Sequence, residues 1–298
     1  MMKHNLTFPA LTLAGGAAAF VLRLLQVRTG FEVETGLPIP GNPWGTALIV
    51  LLLLLAAALV LLARKLPQES AALGFPQSFS TSSTGILTIL ILGVFLLGAS
   101  GLLDLFSGLR SGVSMPADAY AITADGISAD GFSAKEHLVL GLLSLLSAAS
   151  LFPAAAACRR PGSHESSDTP RKTVQGSLLL VPVVCFVIRL VLVYRVDSIN
   201  PVLSDYYLEL LALVFLTLGF YRLSSFAFGA GRNGLFALYA GLAVILCLAE
   251  LADGFGSSQL PITLFHAGGA VTLLGFLLLR MGTPIPTGRT RRRRVQPD

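Results

Sequence analysis

The sequence contains eight apolar runs, each close to the roughly 20 residues that an α-helix needs to cross a bilayer. The runs cover approximately residues 9–28, 46–63, 84–106, 137–157, 174–194, 204–226, 233–252 and 261–280. Charged residues make up 12% of the chain, whereas a soluble domain has about a quarter. The pattern therefore predicts an all-α membrane protein with eight transmembrane helices, and the lipid bilayer is its first expected partner.

Basic residues are distributed unevenly between the loops. When successive loops are assigned to alternate sides of the membrane, most Lys and Arg residues fall on the side that holds both termini. The positive-inside rule places that side in the cytoplasm. We therefore expect a multi-pass protein of the cell membrane with cytoplasmic N- and C-termini. We call the side that is predicted to hold both termini inner and the opposite side outer, as labels for the two ends of the bundle.

The polar segment between the fourth and fifth runs divides the chain into two halves. It contains two prolines and a glycine, as flexible linkers often do. We predict a first four-helix repeat at 1–157, a cytoplasmic linker at 158–173, a second four-helix repeat at 174–280, and a basic tail at 281–298. Because each half has an even number of spans, the two repeats would be parallel.

Short matches between the halves support a repeat. The segment Phe-Val-Leu-Arg-Leu at 20–24 returns as Phe-Val-Ile-Arg-Leu at 186–190, so Arg23 corresponds to Arg189. The third run has an aspartate near its end, Asp104, and the seventh run is followed directly by another, Asp253. The sequence therefore predicts matching charges near the outer end of each half.

Each arginine also follows a helix interruption by about two turns. The interruption is Gly15-Gly16 in the first half and Pro182 in the second half. Interruptions at matching places in two halves are typical of transporter binding sites. Glycine and proline are also used for close packing between membrane helices, which is the alternative interpretation.

An arginine in a membrane span is costly, and it either pairs, reaches toward the headgroups or serves a function. The structural alternative is snorkelling, or one ion pair within each half. Those pairs would join Arg23 to Asp104, and Arg189 to Asp253 or Glu250.

The functional alternative is a polar site in the outer third of the bundle. Its predicted residues are Arg23, Arg189, Asp104, Glu209, Glu250, Asp253 and His266. Guanidinium groups suit carboxylate or phosphate ligands, and carboxylates and histidines relay protons in transporters. We therefore predict a small-solute transporter or channel-like protein with an anionic ligand. The alternative is a non-transporting accessory, sensory or scaffold subunit.

Enzyme motifs such as HExxH, CxxC and the Walker loop are absent from the sequence. We therefore expect no cofactor and no metal site. The basic segment at 289–294 favours anionic lipid or a partner protein at the inner face rather than nucleic acid.

Two short segments carry a resemblance to a family of enzymes. Gly98-Ala99-Ser100-Gly101 resembles the nucleophile motif of rhomboid intramembrane proteases, and 266–269 is similar to the segment around their catalytic histidine. The resemblance implies Ser100 as nucleophile and His266 as general base of an intramembrane serine hydrolase. Small residues of this kind are also enriched wherever membrane helices pack closely.

Overall fold

The computed structural model describes residues 6–32, 39, 41–66, 75–113, 133–159, 169–198, 203–254 and 260–282. The helices are α1 (Thr7–Thr29), α2 (Pro43–Lys65), α3 (Phe75–Ser78), α4 (Thr84–Val113), α5 (Ala134–Ala157), α6 (Thr169–Asp197), α7 (Leu203–Ser225), α8 (Asn233–Glu250) and α9 (Leu260–Gly282). Eight of these helices, all except α3, are long and apolar enough to cross a membrane. The predicted fold class and the eight spans are confirmed.

The side chains that face away from the bundle fit a lipid environment. Large apolar side chains are strongly exposed along the spans, for example Phe95 of α4 at 71% and Leu53 of α2 at 65%. Hydrocarbon tails are the surroundings that such a surface requires. The basic segment at 289–294 and most of the predicted linker lie outside the described residues, and α6 already begins within that linker.

Six helices form a closed ring of neighbours. Going round, α4 packs against α5, α5 against α6, α6 against α7, α7 against α8, α8 against α9, and α9 against α4. Helices α1 and α2 pack against α8 from outside this six-helix ring. Two helices of the first half, α4 and α5, therefore complete a ring with all four spans of the second half. The predicted domain boundaries stay a prediction.

Glycines bring α4 into close contact with both of its ring neighbours. A Cβ atom on Gly93 would lie 2.5 Å from the backbone nitrogen of Thr272 in α9. A Cβ atom on Gly101 would lie 2.8 Å from the carbonyl oxygen of Gly141 in α5. Small residues at such crossings let helix backbones approach and gain van der Waals contact. Gly15 and Gly16 likewise face Leu55 and Leu248, and α1 continues through them unbroken.

Substitution of Gly93 should weaken this contact. We expect Gly93→Ala to destabilise the protein by about 1–3 kcal/mol, because the new methyl group meets backbone that cannot rotate away. Gly85→Ala is the matched control, since Gly85 lies on the same helix with nothing within 4 Å of its Cβ position. Thermal unfolding in detergent micelles compares the two variants. Equal melting temperatures would show that the backbones of α4 and α9 leave room for a methyl group at Gly93.

Candidate functional site

Arg189 lies at the centre of a buried charge cluster inside the six-helix ring. Its side chain is 2% exposed. Its Nη1 atom lies 3.6 Å from Oδ2 of Asp104 in α4 and donates a hydrogen bond of 3.3 Å to Oγ of Ser144 in α5. Its Cζ atom lies 3.8 Å from the ring centroid of Phe265 in α9, a cation–π contact. The guanidinium is therefore surrounded by protein and does not snorkel toward the headgroups.

The carboxylate of Asp104 lies between Arg189 and a histidine. Nδ1 of His137 is 3.5 Å from Oδ1 of Asp104, and both side chains are buried. A capping box fixes the start of α5 beside this histidine, because Glu136 accepts the backbone N–H of Ser133 at 2.8 Å. Glu136 also contacts Arg195, which joins the outer ends of α5 and α6.

A second histidine belongs to the same group of side chains. His266 follows Phe265 on α9, and its ring is fully buried. The imidazole ring centroid lies 5.6 Å from that of Phe265, whose ring Arg189 contacts. We call Arg189, Asp104, His137, Ser144 and His266 the Arg189 cluster. With both imidazoles neutral, its formal charge is zero.

A separate cluster surrounds Arg23, between α1 and α8 and outside the six-helix ring. Nε of Arg23 donates to both carboxylate oxygens of Asp253, at 2.8 and 3.0 Å. Nη1 of Arg23 donates to Oε1 of Gln26 at 3.2 Å. Glu250 and Tyr207 lie within electrostatic range of the guanidinium. These five residues form the Arg23 cluster.

The pairing of charges differs from the structural alternative that we drew from the sequence. Arg23 binds Asp253 rather than Asp104, and Arg189 lies beside Asp104 rather than Asp253 or Glu250. The physical reason is the helix order, since α1 packs against α8, whereas α4 and α6 both pack against α5. Snorkelling is wrong for both arginines, since the side chain of Arg23 is buried as well and 1% exposed.

The predicted site residues therefore fall into two sets rather than one. Asp104 and His266 join Arg189, whereas Glu250 and Asp253 join Arg23. Glu209, the remaining member, is half-buried near the outer end of α7.

The sequence analysis missed two members of the Arg189 cluster. His137 stands at the first position of a predicted span, where it resembled a boundary residue. Ser144 has the small polar side chain that close helix packing uses everywhere. The only local signal for His137 was its position one helical turn after Ser133, the N-cap residue of a capping box.

Three residues of the protease-like motifs, Ser100, Gly101 and Gly268, make contacts between packed helices. Oγ of Ser100 donates its hydrogen bond to the carbonyl oxygen of Pro261 at 2.8 Å, whereas an activated nucleophile needs a base as its partner. Gly101 faces the backbone of Gly141. A Cβ atom on Gly268 would lie 2.6 Å from the backbone nitrogen of Leu97.

The fold and the buried charges together define the chain as a multi-pass, all-helical membrane protein. No protein-family model, characterised protein sequence or solved structure matches it. Within the part of the chain that the structure describes, no three His, Cys, Asp or Glu side chains are grouped to hold a metal ion. Any functional argument therefore depends on the two charge clusters.

Proposed function

We propose that this protein transports a small anion together with a proton, and that the anion binds at the Arg189 cluster. The observation that carries the proposal is the buried contact between Arg189 and Asp104, which lie 3.6 Å apart inside a ring of membrane helices. A buried charge in a membrane span marks a substrate or ion pathway by default. Guanidinium binds carboxylate and phosphate oxygens through its forked N–H groups.

The arrangement of the ion pair supports an exchange of partners. Asp104 touches Arg189 on one side and His137 on the other. An incoming anion would take the place of Asp104 at the guanidinium. The displaced carboxylate would then need a positive charge, and a proton on His137 supplies it. Ligand and proton would enter together, so the cluster would stay neutral with the anion bound or absent.

Charge neutrality is the physical reason for this coupling. Transferring an unbalanced charge into the membrane interior costs several kcal/mol. A monovalent anion without its proton would leave the cluster with one excess negative charge, and a divalent anion such as sulfate would need two protons. His266 is a second place for a proton, since it is fully buried on α9 beside Phe265, whose ring contacts Arg189.

Arg23 has a different role in this proposal. Both oxygens of Asp253 and the amide of Gln26 already bind its N–H groups. Its carboxylate partner lies 2.8 Å away, against 3.6 Å for Arg189 and Asp104, so a ligand would have to break a hydrogen-bonded ion pair to reach this guanidinium. The Arg23 cluster would therefore attach α1 to the end of α8 as a structural pair.

The closed Arg23–Asp253 pair is also the observation that favours the alternative function. A non-transporting accessory, sensory or scaffold subunit needs buried charges only for specific assembly of its helices. Such a protein would recruit its partner, or anionic lipid, through the basic inner face.

Uptake into proteoliposomes tests the proposal. Purified protein would be reconstituted and given an inward proton gradient, with chloride, phosphate, sulfate and succinate as the probe anions. A trapped pH-sensitive dye would report proton entry. We expect anion uptake and acidification of the lumen for at least one probe. The matched control is the double variant Arg189→Met/Asp104→Leu, which removes both charges and should show neither. Wild-type uptake of all four anions at the rate of protein-free liposomes would overturn the proposal and favour the accessory role.

A further inference from the structure

The segment at 75–81, which includes α3, covers the inner end of the six-helix ring. Its central side chain is Phe79, which is fully buried. The ring centroid of Phe79 lies 5.2 Å from Phe226 after α7, 5.7 Å from Phe236 in α8, and 5.7 Å from Phe276 in α9. We call residues 75–81 the inner cap.

Three hydrogen bonds hold the inner cap and its surroundings in place. The backbone N–H of Thr81 donates to the carbonyl oxygen of Cys158, at the end of α5, at 2.9 Å. Nη1 of Arg280 in α9 donates to the carbonyl oxygen of Ser78 at 3.1 Å. Nε of Arg280 donates to Oδ1 of Asn233, at the start of α8, at 2.7 Å. The inner cap therefore touches the inner ends of four of the six ring helices.

We propose that the inner cap is the inner gate of the transport pathway, with Phe79 as its plug and Arg280 as its latch. This inference rests on the proposed transport function. The Arg189 cluster and the inner cap lie at opposite ends of the same ring. On α9, Phe265 beside Arg189 and Phe276 beside Phe79 are about 16 Å apart along the helix axis. A ligand bound at the outer cluster could reach the inner side only after the plug leaves.

Helix α4 connects the two ends mechanically. The inner cap is followed after two residues by Thr84, where α4 begins, and the same unbroken helix carries Asp104 about 30 Å away. Release of Asp104 from Arg189 by an incoming anion would free α4 to shift. A packed helix moves as a unit, so the shift would pull directly on the inner cap. Gly93 and Gly101 have no side chains at the contacts of α4 with α9 and α5, so neither residue would block such a shift.

A native cysteine reports the opening of the gate without any transport measurement. Cys185 of α6 is 2% exposed and lies one helical turn before Arg189, on the side of the inner cap. We expect Phe79→Ala to raise the rate at which a small methanethiosulfonate reagent modifies Cys185 by about 10-fold or more, because the interior becomes accessible locally. Phe95→Ala is the matched control, since Phe95 faces lipid on α4 and should leave the rate unchanged.

Cys247 distinguishes gating from unfolding in the same experiment. This residue is fully buried in α8, so mass spectrometry of its peptide reports global loss of structure. Modification of Cys185 without modification of Cys247 supports the gate, and Cys158, which lies beside the cap, is scored separately. Modification of both cysteines together, or of neither, would overturn it. Phe79→Leu keeps most of the apolar volume and should give a smaller increase at Cys185.

Closing the gate covalently gives the opposite test. Thr81 and Arg159 are bridge partners, so cysteines at these two positions lie within the roughly 7 Å that a disulfide can span. We expect oxidised Thr81→Cys/Arg159→Cys protein to lose uptake of the probe anion, and a reductant to restore it. The buried thiol of Cys158 should not compete, because burial raises its pKa to about 12.

Failure of the gate and failure of transport remain distinguishable. Wild-type protein without uptake would refute transport, while the labelling of Cys185 would still test the opening of the cap. If the wild-type protein takes up the anion and the disulfide-linked protein takes it up at the same rate, the gate is refuted and transport is not.

Discussion

Arg189→Ala is expected to destabilise the folded protein by about 3–5 kcal/mol, the usual effect of removing one partner of a buried ion pair. The loss arises because Asp104 stays buried with an uncompensated negative charge. Two favourable contacts of the guanidinium also disappear, the hydrogen bond to Ser144 and the cation–π contact with Phe265. Reversible unfolding in mixed micelles, titrated with a denaturing detergent, measures the change.

The double variant Arg189→Met/Asp104→Leu should recover most of that stability. Neutral side chains of similar volume often replace a buried ion pair without loss, and sometimes with a gain. The expected result is therefore a stable protein that takes up no anion. Recovered stability together with wild-type uptake would show that the pair has no part in transport. A double variant as unstable as Arg189→Ala would show that the site depends on its charges for folding.

The eight spans could be predicted from the sequence because the length of an apolar run is a local property. A helix must be about 30 Å long to cross the hydrocarbon core, whatever its neighbours are. The depth of Arg23 and Arg189 in the membrane could be predicted in the same way, from the position of each arginine within its apolar run. What the sequence could not give is the order in which helices pack. Neither the contact of α1 with α8 nor the closure of the ring between α4 and α9 leaves a local trace.

The inner cap was missed for a related reason. Helix α3 has four residues and no amphipathic repeat that a sequence pattern could detect. Its position depends on aromatic contacts from α8, α9 and the end of α7. Such contacts join residues that are far apart in the chain, so they become visible only in the folded protein.

The exchanged ion pairs are relevant to the predicted internal repeat. Arg23 of the first half binds Asp253 of the second, and Arg189 of the second half lies beside Asp104 of the first. Asp104 and Asp253 occupy matching places in the two halves, so each arginine lies beside the aspartate of the opposite half. A duplicated pattern of one arginine and one aspartate would produce these two exchanged pairs if each half packs against the other. The internal repeat itself stays a prediction, because the packing of the remaining helices does not follow the same exchange.

Arg23→Ala is the second substitution with a large expected effect, about 3 kcal/mol, at the lower end for a buried pair. The carboxylate of Asp253 is 21% exposed, so water compensates part of the lost contact. Glu250 increases the cost, because two carboxylates near each other would lose the guanidinium that both face. Arg28→Ala is the matched control, since Arg28 is an exposed arginine on the same helix and should change stability by less than about 0.5 kcal/mol.

The neutral pair Arg23→Met/Asp253→Leu then separates the two clusters by function. If Arg23 only attaches α1 to α8, this double variant should fold and keep anion uptake, whereas the corresponding double variant of Arg189 and Asp104 should fold and lose it. Loss of uptake in both stable double variants would place Arg23 on the transport pathway as well. If both double variants keep anion uptake, neither arginine lies on the transport pathway. The buried charges would then serve helix assembly alone.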